Sequence, residues 1–171
     1  MKVSEPVAVS FFAGTVLTFI VEDEAEVDAP DVCAAVDRVL SLGEAERLAI
    51  SEAVFENYRA FLDASDLEPL EIATPTAVWR YVKPTAVHIR RRRRRDREVY
   101  VTFMCECAWE VEHGLQLVFR GGDRLARVSD QDGHLTHADA YDIPDEQDVG
   151  LRATSSSTPG VSNASRGSSA R

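Results

Sequence analysis

The sequence predicts an α+β fold, in which a mainly antiparallel sheet of about five to seven strands is packed by two helices from the N-terminal half. Two patterns carry this prediction. Apolar residues recur at helical spacing between residues 30 and 64, whereas much of the second half alternates with a period of two, as half-buried strands do. The 171 residues suffice for one hydrophobic core. We expect a single domain over residues 1–151 and a disordered, Ser/Gly-rich tail over residues 152–171.

The apolar run from Val7 to Val21 admits two interpretations. It is shorter than the ~20 residues that a membrane-spanning helix needs. As a signal segment it follows Lys2, but its leading region also carries Glu5 and Pro6, and it has no clear cleavage site before the acidic run Glu22 to Glu26. We favour two strands, Val7 to Phe12 and Thr15 to Val21, that turn at Ala13-Gly14. The signal-segment interpretation stays open.

Two helices are predicted next. The first is expected over residues 30–41, because Asp28-Ala29-Pro30-Asp31 combines an N-cap acid with a proline in the first turn, and Gly43 is the expected stop. The second is expected over residues 44–64, where apolar and aromatic residues form one stripe that we interpret as core. A shorter helix is expected to begin at Thr74-Pro75 and to continue through Trp79 to Val82.

Strands dominate the rest of the chain. Thr85–Ile89 and Val99–Cys107 flank a block of arginines, so they are predicted to pair as an antiparallel hairpin with a basic tip. Leu115–Phe119 and Leu125–Val128 are predicted to follow, joined by a glycine-rich turn at residues 121–123. Leu135 is predicted to begin a last short strand.

The composition is that of an acidic globular protein, with 44% hydrophobic residues, 28% charged residues and a net charge of −10. An excess of negative charge favours basic protein partners. It disfavours binding to nucleic acid, which is itself negatively charged. The three cysteines do not pair evenly, which favours a reducing compartment, so we expect a cytoplasmic protein without a membrane segment.

Cysteine and histidine residues gather between positions 105 and 142 and raise the question of a metal. The candidate ligands are Cys105, Cys107, His113, His134 and His137. On a strand, however, a C-x-C pair points both sulfur atoms to the face that Phe103 shares, where thiols pack as small apolar groups. We favour structural cysteines and predict no cofactor. An EF-hand-like register at Asp130 and Asp132 has a valine in the first ligand position, which indicates a turn.

The arginine block, Arg90 to Arg95, is the strongest charge feature of the sequence. Arginine forks bind phosphate and carboxylate, so RNA, a nucleotide or an acidic protein are the functional interpretations. The candidate binding residues are Arg91, Arg92, Arg93 and Arg94. The alternative that we favour is a solvated tip that neutralises the chain's own acids, such as those from Glu22 to Glu26.

Three segments together resemble a known bacterial family: VWRYVKPTAVHIRR, REVYVTFMCECAWEVEHGLQLVFR and LARVSDQDGHLTHADAYD. The resemblance is to domain-of-unknown-function family six-nine-eight-five, whose mark is a Trp followed by Glu-His-Gly and a strand. The matching residues are Trp109, Glu112, His113, Gly114 and Leu115. Related small domains near bacterial toxin loci suggest, as an analogy, an immunity or interaction role.

A non-enzymatic protein-binding domain, immunity-like in its specific form, is therefore the function we predict. Binding is expected near Trp109, Glu112 and His113, with a basic protein as the partner. Two alternatives stay open: a small metal-dependent or hydrolytic enzyme, and a polyanion binder that uses the Arg90–Arg95 loop. The sequence leaves the identity of the partner and the oligomeric state open.

Overall fold

The computed structural model describes residues 1–66 and 68–148, and its architecture is α+β, as the sequence predicts. The eight strands in this part of the chain are β1 (Lys2–Val3), β2 (Val7–Val9), β3 (Thr15–Leu17), β4 (Phe19–Val21), β5 (Val82–Arg91), β6 (Val99–Cys107), β7 (Leu115–Arg120) and β8 (Arg124–Ser129). The α-helices are α1 (Pro30–Ser41), α2 (Glu44–Ala49), α3 (Ser51–Asp63) and α4 (His137–Ala140). Short 3-10 helices span Ser10–Phe12, Glu24–Glu26, Pro75–Tyr81 and Asp145–Gln147.

Six of the strands form one sheet in the order β1-β4-β5-β6-β7-β8, and β2 and β3 form a separate hairpin. All neighbouring strands of the sheet are antiparallel except β4 and β5. A parallel pair needs a long crossover connection, and α1, α2 and α3 lie in the connection between β4 and β5. The mainly antiparallel sheet that we predicted is confirmed.

The N-terminal run folds differently from the prediction. The strand expected over Val7–Phe12 ends at Val9 and continues as a 3-10 helix, Ser10–Phe12. An extended strand points consecutive side chains to opposite sides, whereas Phe11 and Phe12 are both buried in the same core. The strand expected over Thr15–Val21 is divided in two, because β3 pairs with β2 and β4 joins the main sheet.

The first predicted helix is confirmed as α1, with Pro30 in its first turn. Its N-cap is Ala29 instead of the expected acid, and Gly43 begins α2 instead of ending α1, since its backbone N–H donates to Glu46 Oε2 at 2.8 Å. The helix expected over residues 44–64 breaks at Ile50 into α2 and α3. Directly after this break, the buried Ser51 Oγ accepts a hydrogen bond of 2.8 Å from Trp79 Nε1.

Helix α1 also packs tightly against the turn between β7 and β8. Gly122 in this turn has φ +92°, and a Cβ atom there would collide with the carbonyl of Ala35 in α1. Next to it, Arg38 Nε donates to the carbonyl oxygen of Gly121 at 2.6 Å. The glycine-rich turn predicted from the sequence is therefore a buried contact between the sheet and a helix.

The main core lies on the sheet face that these helices cover, and its centre is aromatic. Phe11 stacks on Phe103 with ring centroids 5.3 Å apart, and it meets Phe119 edge-on at 5.7 Å. Phe12 and Trp79 complete the cluster through further edge-on contacts. Offset and edge-on pairs are the favoured arrangements of aromatic rings, so this cluster holds the sheet, the N-terminal hairpin and the 3-10 helix of residues 75–81 together.

The opposite face of the sheet carries a small second apolar cluster and is crossed by residues 130–148. The cluster consists of Tyr100, Val118, Ala126 and Leu135. The strand predicted at Leu135 is wrong: Leu135 is followed by α4, whose N-cap Thr136 accepts a hydrogen bond from the backbone N–H of Asp139 at 3.1 Å. The predicted disordered tail and the domain boundary at residue 151 lie outside the described residues. No helix in the described part of the chain has the length and apolar character needed to span a membrane.

Candidate functional site

A cleft of about 690 Å³ lies at the end of β6, beside the turn that leads into β7. Its walls come from the start of β5, the end of β6, the turn of residues 108–114, and Gln131. Glu112 and His113, which the sequence singles out, both line this cleft.

The turn beside the cleft is organised by Glu110. Its Oε1 accepts hydrogen bonds from the backbone N–H groups of Glu112 at 2.9 Å and His113 at 3.2 Å, and its Oε2 lies 3.3 Å from His113 Nδ1. Desolvation opposes ionisation, but these hydrogen bonds outweigh it and lower the pKa of Glu110 below its ordinary value. Glu110 is therefore an ionised carboxylate that holds the turn in place.

Gly114 ends the turn in a conformation that other residues rarely adopt, with φ +68°. A Cβ atom at this position would lie 2.6 Å from the Cys105 carbonyl oxygen and 2.7 Å from Gln131 Nε2. Glycine is favoured at this position for two reasons. It adopts the positive φ without strain, and it has no side chain that would push the turn away from β6.

Trp109 anchors the turn from the inside. Its side chain is buried, its Nε1 donates to Asn57 Oδ1 of α3 at 3.2 Å, and its ring meets Tyr58 edge-on at 5.6 Å. Of the three residues predicted to bind near the turn, Trp109 is thus a support, whereas Glu112 and His113 are exposed. Among the large hydrophobic residues of the described chain, Val111 is the most exposed, with 83% of its surface open to solvent. The sequence feature that marks Val111 is its place as an apolar residue between two acids, Glu110 and Glu112, just before Gly114.

The two cysteines of β6 point into the protein. Burial raises the pKa of the Cys105 thiol well above its ordinary value and that of Cys107 to about 11. Both are therefore neutral thiols at pH 7, and a neutral thiol is a poor nucleophile. Among the described residues, no group of three or more His, Cys, Asp or Glu side chains is arranged to hold a metal ion.

The remaining metal candidates lie in the segment after β8. His137 belongs to α4 and stacks on Tyr141, with ring centroids 6.2 Å apart. The two carboxylates of the EF-hand-like register have different surroundings. Asp132 forms an ion pair of 2.6 Å with Arg127, whereas Asp130 is exposed. The segment therefore forms a turn, as the sequence favours.

The arginine block lies at the other end of the β5–β6 hairpin and is extensively ion-paired. Arg91 donates to Asp31 Oδ2 at 2.7 Å and to both oxygens of Glu26 at 3.2 Å. Arg93 pairs with Asp23 and, at 2.9 Å, with Glu26. The block thus neutralises acids of the 22–26 run, as we expected, and Arg94 is exposed.

Arg92 corrects the expectation of a solvated tip. It is 4% exposed, and its guanidinium group donates to the carboxylates of Asp139 and Asp145 at distances between 2.7 and 3.1 Å. Asp96 lies at 3.3 Å and also accepts a hydrogen bond of 2.7 Å from Tyr100. The acids that enclose Arg92 follow it by 47 and 53 positions, so a local reading of the sequence does not identify them.

The fold and its sites define a small α+β domain, with a cleft at one end of the central strand β6 and a carboxylate-paired arginine hairpin at the other. Residues 1–135 match the family described as Domain of unknown function (DUF6985), so the chain belongs to this family. The match takes in all the strands and α1 to α3, and it stops before α4. Comparison with curated proteins gives no match. Comparison with solved structures gives none either.

Proposed function

We propose that the protein is a non-enzymatic binding domain, which takes up a basic segment of a partner protein at the cleft beside the Glu110–Gly114 turn. The observation that carries the proposal is Val111, an apolar side chain 83% exposed on a turn whose backbone is fixed by Glu110 and Gly114. A fixed turn loses little conformational entropy when a partner binds to it.

The charge of the protein supports a basic partner. Lys and Arg number 19 and Asp and Glu number 29. Three arginines follow Asp148 and no acid does, so residues 1–148 carry 16 basic and 29 acidic side chains, a net charge of −13. Internal ion pairs do not change this sum. The long-range field therefore attracts cationic surfaces and accelerates their encounter with the protein.

Two residues of the cleft, Val111 and Glu112, fit the side chain of lysine or arginine, and Arg80 and Lys83 line the cleft as well. Val111 and the exposed carboxylate of Glu112 are adjacent in the turn. Long basic side chains bury their aliphatic stems on apolar surface and keep the charged group free for an acid. In the specific form of this proposal the partner is a basic toxin and the protein acts as an immunity protein in the cytoplasm. Three free thiols support that reducing compartment.

The test is capture of partners from native lysate at low salt with three proteins: wild type, Val111→Ser/Glu112→Gln, and Val16→Ser. Val16 is 60% exposed on β3 and away from the cleft, so its variant is the matched control. We expect a basic protein that wild type and the control retain and the cleft variant loses. Capture that is the same for all three proteins would refute the proposal.

The chemistry of the cleft gives little support to the alternative of an enzyme. A nucleophilic cysteine needs a lowered thiol pKa, and the pKa values of both cleft cysteines are raised. A general acid needs a raised carboxyl pKa, and that of Glu110 is lowered. Stoichiometric zinc in the purified protein would reverse this judgement.

A further inference from the structure

We propose that the arginine tip (Arg90–Arg95) contains a binding site for an acidic peptide with two carboxylates, and that the chain's own residues 136–148 occupy it in this structure. We call residues 136–148 the strap. The site lies on the sheet face opposite the main core. The proposal goes beyond the cleft and does not depend on it.

The centre of the site is the guanidinium group of Arg92, which holds two carboxylates at once. Its Nε lies 3.1 and 2.9 Å from the two oxygens of Asp139. Its Nη1 and Nη2 donate to the two oxygens of Asp145 at 2.8 and 2.7 Å. Bidentate arginine–carboxylate pairs are among the strongest and most directional contacts in proteins. The site therefore selects two acids at a defined separation.

Arg95 adds recognition of the peptide backbone. Its Nη1 donates to the carbonyl oxygen of Ile143 at 2.8 Å and lies 3.3 Å from Asp145 Oδ1. A side chain that binds both a main-chain carbonyl and a carboxylate recognises an acidic peptide rather than an isolated anion. The ligand class that follows is a short segment with two Asp residues six positions apart.

The strap has the properties of a bound ligand. It follows the last residue of the family match, 135, and its two helical elements have four and three residues. Helices this short are not stable alone, so contacts with the rest of the protein order the strap, among them the ion pairs with Arg92 and Arg95. It contains no Lys or Arg, and its five acids are Asp139, Asp142, Asp145, Glu146 and Asp148.

The two carboxylates that hold the strap, those of Asp139 and Asp145, are not buried in the core. The side chains of Asp139 and Asp145 keep 21% and 31% of their surface exposed, so their groups are already near water. Arg92 lies at the end of the β5–β6 hairpin and gains access to solvent when the strap leaves. Opening costs these ion pairs and also exposes Thr136, Ala138 and Asp148, which are buried in this structure.

A partner must compete with an occupant that is tethered. A short tether gives the strap an effective concentration on the order of millimolar, so an acidic segment of a partner displaces it only by stronger contacts or high local concentration. Arg92 and Arg95 contact groups within residues 139–145, so a segment presented by another molecule can make the same contacts. Arg90 donates to the carbonyl oxygen of Gly133 in the tether, a contact that such a segment does not replace.

The cleft and the arginine tip lie at opposite ends of β6. This strand has 9 residues, so the two sites are separated by about 26 Å, at about 3.3 Å per residue. Variants at one site therefore leave the other unchanged, and each proposal fails or succeeds independently.

The first experiment uses the full-length Asp139→Asn/Asp145→Asn variant and a fluorescent synthetic peptide with the sequence THADAYDIPDEQD, residues 136–148. The double variant weakens its own strap and leaves the arginines in place. We expect the variant to bind the peptide in a fluorescence anisotropy assay. Wild type should bind the peptide at least about tenfold more weakly, because its own strap fills the site. The control peptide carries Asn at both Asp positions and should bind the variant at least about tenfold more weakly.

No binding of the peptide to the folded variant, or equal binding of both peptides, would overturn the proposal. If the variant does not fold, hydrogen exchange on the wild-type protein replaces this test. An excess of the acidic peptide should then accelerate exchange in residues 136–148 and leave α1 and β6 unchanged, and the Asn peptide should have no effect. Unchanged exchange in the strap at millimolar peptide contradicts the proposal.

Discussion

The two faces of the six-stranded sheet are covered by different means. On one face the helices and the N-terminal hairpin bury an aromatic cluster around Phe103. On the other, residues 130–148 cross a face whose buried residues include Thr102, Gln116 and Arg127, and charged contacts hold the strap. The first face depends on apolar area, and burial of apolar groups involves no titrating charge. The second combines a small apolar cluster with charged contacts, and charged contacts respond to pH and salt.

The largest effect is expected on the aromatic face. Phe103→Ala removes a fully buried ring that contacts Phe11, Phe12 and Phe119, and it should lower the free energy of unfolding by about 3–5 kcal/mol. Urea denaturation measures it. The control Val16→Ala is at an exposed position and should change stability by no more than about 0.5 kcal/mol. Similar losses in both variants would mean that the aromatic cluster is not the centre of the core.

The next effect is expected on the ionic face. Arg92→Met leaves Asp139 and Asp145 without their bidentate partner and should lower the free energy of opening of the strap by about 1–3 kcal/mol. This is less than the ~3–5 kcal/mol for a fully buried pair, because both carboxylates are partly exposed. Peptide-resolved hydrogen exchange over residues 136–148 measures it. Arg94→Met at an exposed position is the control, and equal exchange in the two variants would contradict the role of Arg92.

A pH dependence separates the two faces as well. The hydrogen bond from Arg92 lowers the pKa of Asp145 below its ordinary value of 3.8, although burial opposes it. A lowered folded-state pKa means that the ionised carboxylate stabilises the fold above the ordinary pKa, and that this stabilisation is lost as the pH falls through the folded-state pKa. Asp145→Asn should therefore cost about 1 kcal/mol at pH 7.

Urea denaturation of wild type and Asp145→Asn at a series of pH values measures this dependence. The difference between the two proteins should be constant above about pH 5 and should shrink as the pH falls below the ordinary pKa of 3.8. A difference that stays the same at pH 2.5 would show that the charge of Asp145 plays no part.

The smallest effect concerns reactivity rather than stability. Cys33 is exposed, whereas Cys105 and Cys107 are buried with raised thiol pKa values. Iodoacetamide at pH 8 should therefore modify Cys33 in the native protein and all three cysteines in urea. Mass spectrometry of peptides measures the modification. Modification of Cys105 in the native protein would show that the apolar face opens.

The sequence predicts best those elements whose causes are local. Helix α1 follows from a proline in the first turn and apolar residues at helical spacing, and β6 from nine residues of strict alternation. The break at Ile50 was missed because the apolar stripe continues through it. The 3-10 helix at Ser10–Phe12 was missed because a short apolar run looks the same in a strand and in a buried turn.

The sites were predictable to a lesser degree. Glu112 and His113 do line the cleft, because a turn between two predicted strands places its polar residues at the surface. The burial of Trp109 depends on Asn57 and Tyr58 of α3, and the burial of Arg92 depends on acids about fifty positions away. Periodicity and motif spacing carry no information about such distant partners.

The close contact between Gly122 and α1 has a practical consequence for protein engineering. A two-glycine turn between strands looks like a permissive place for an inserted tag, a fluorophore or new chain termini. Here both glycines are buried, and the Ala35 carbonyl occupies the space that a side chain at position 122 would need. Insertion at this turn would lift the helix from the sheet.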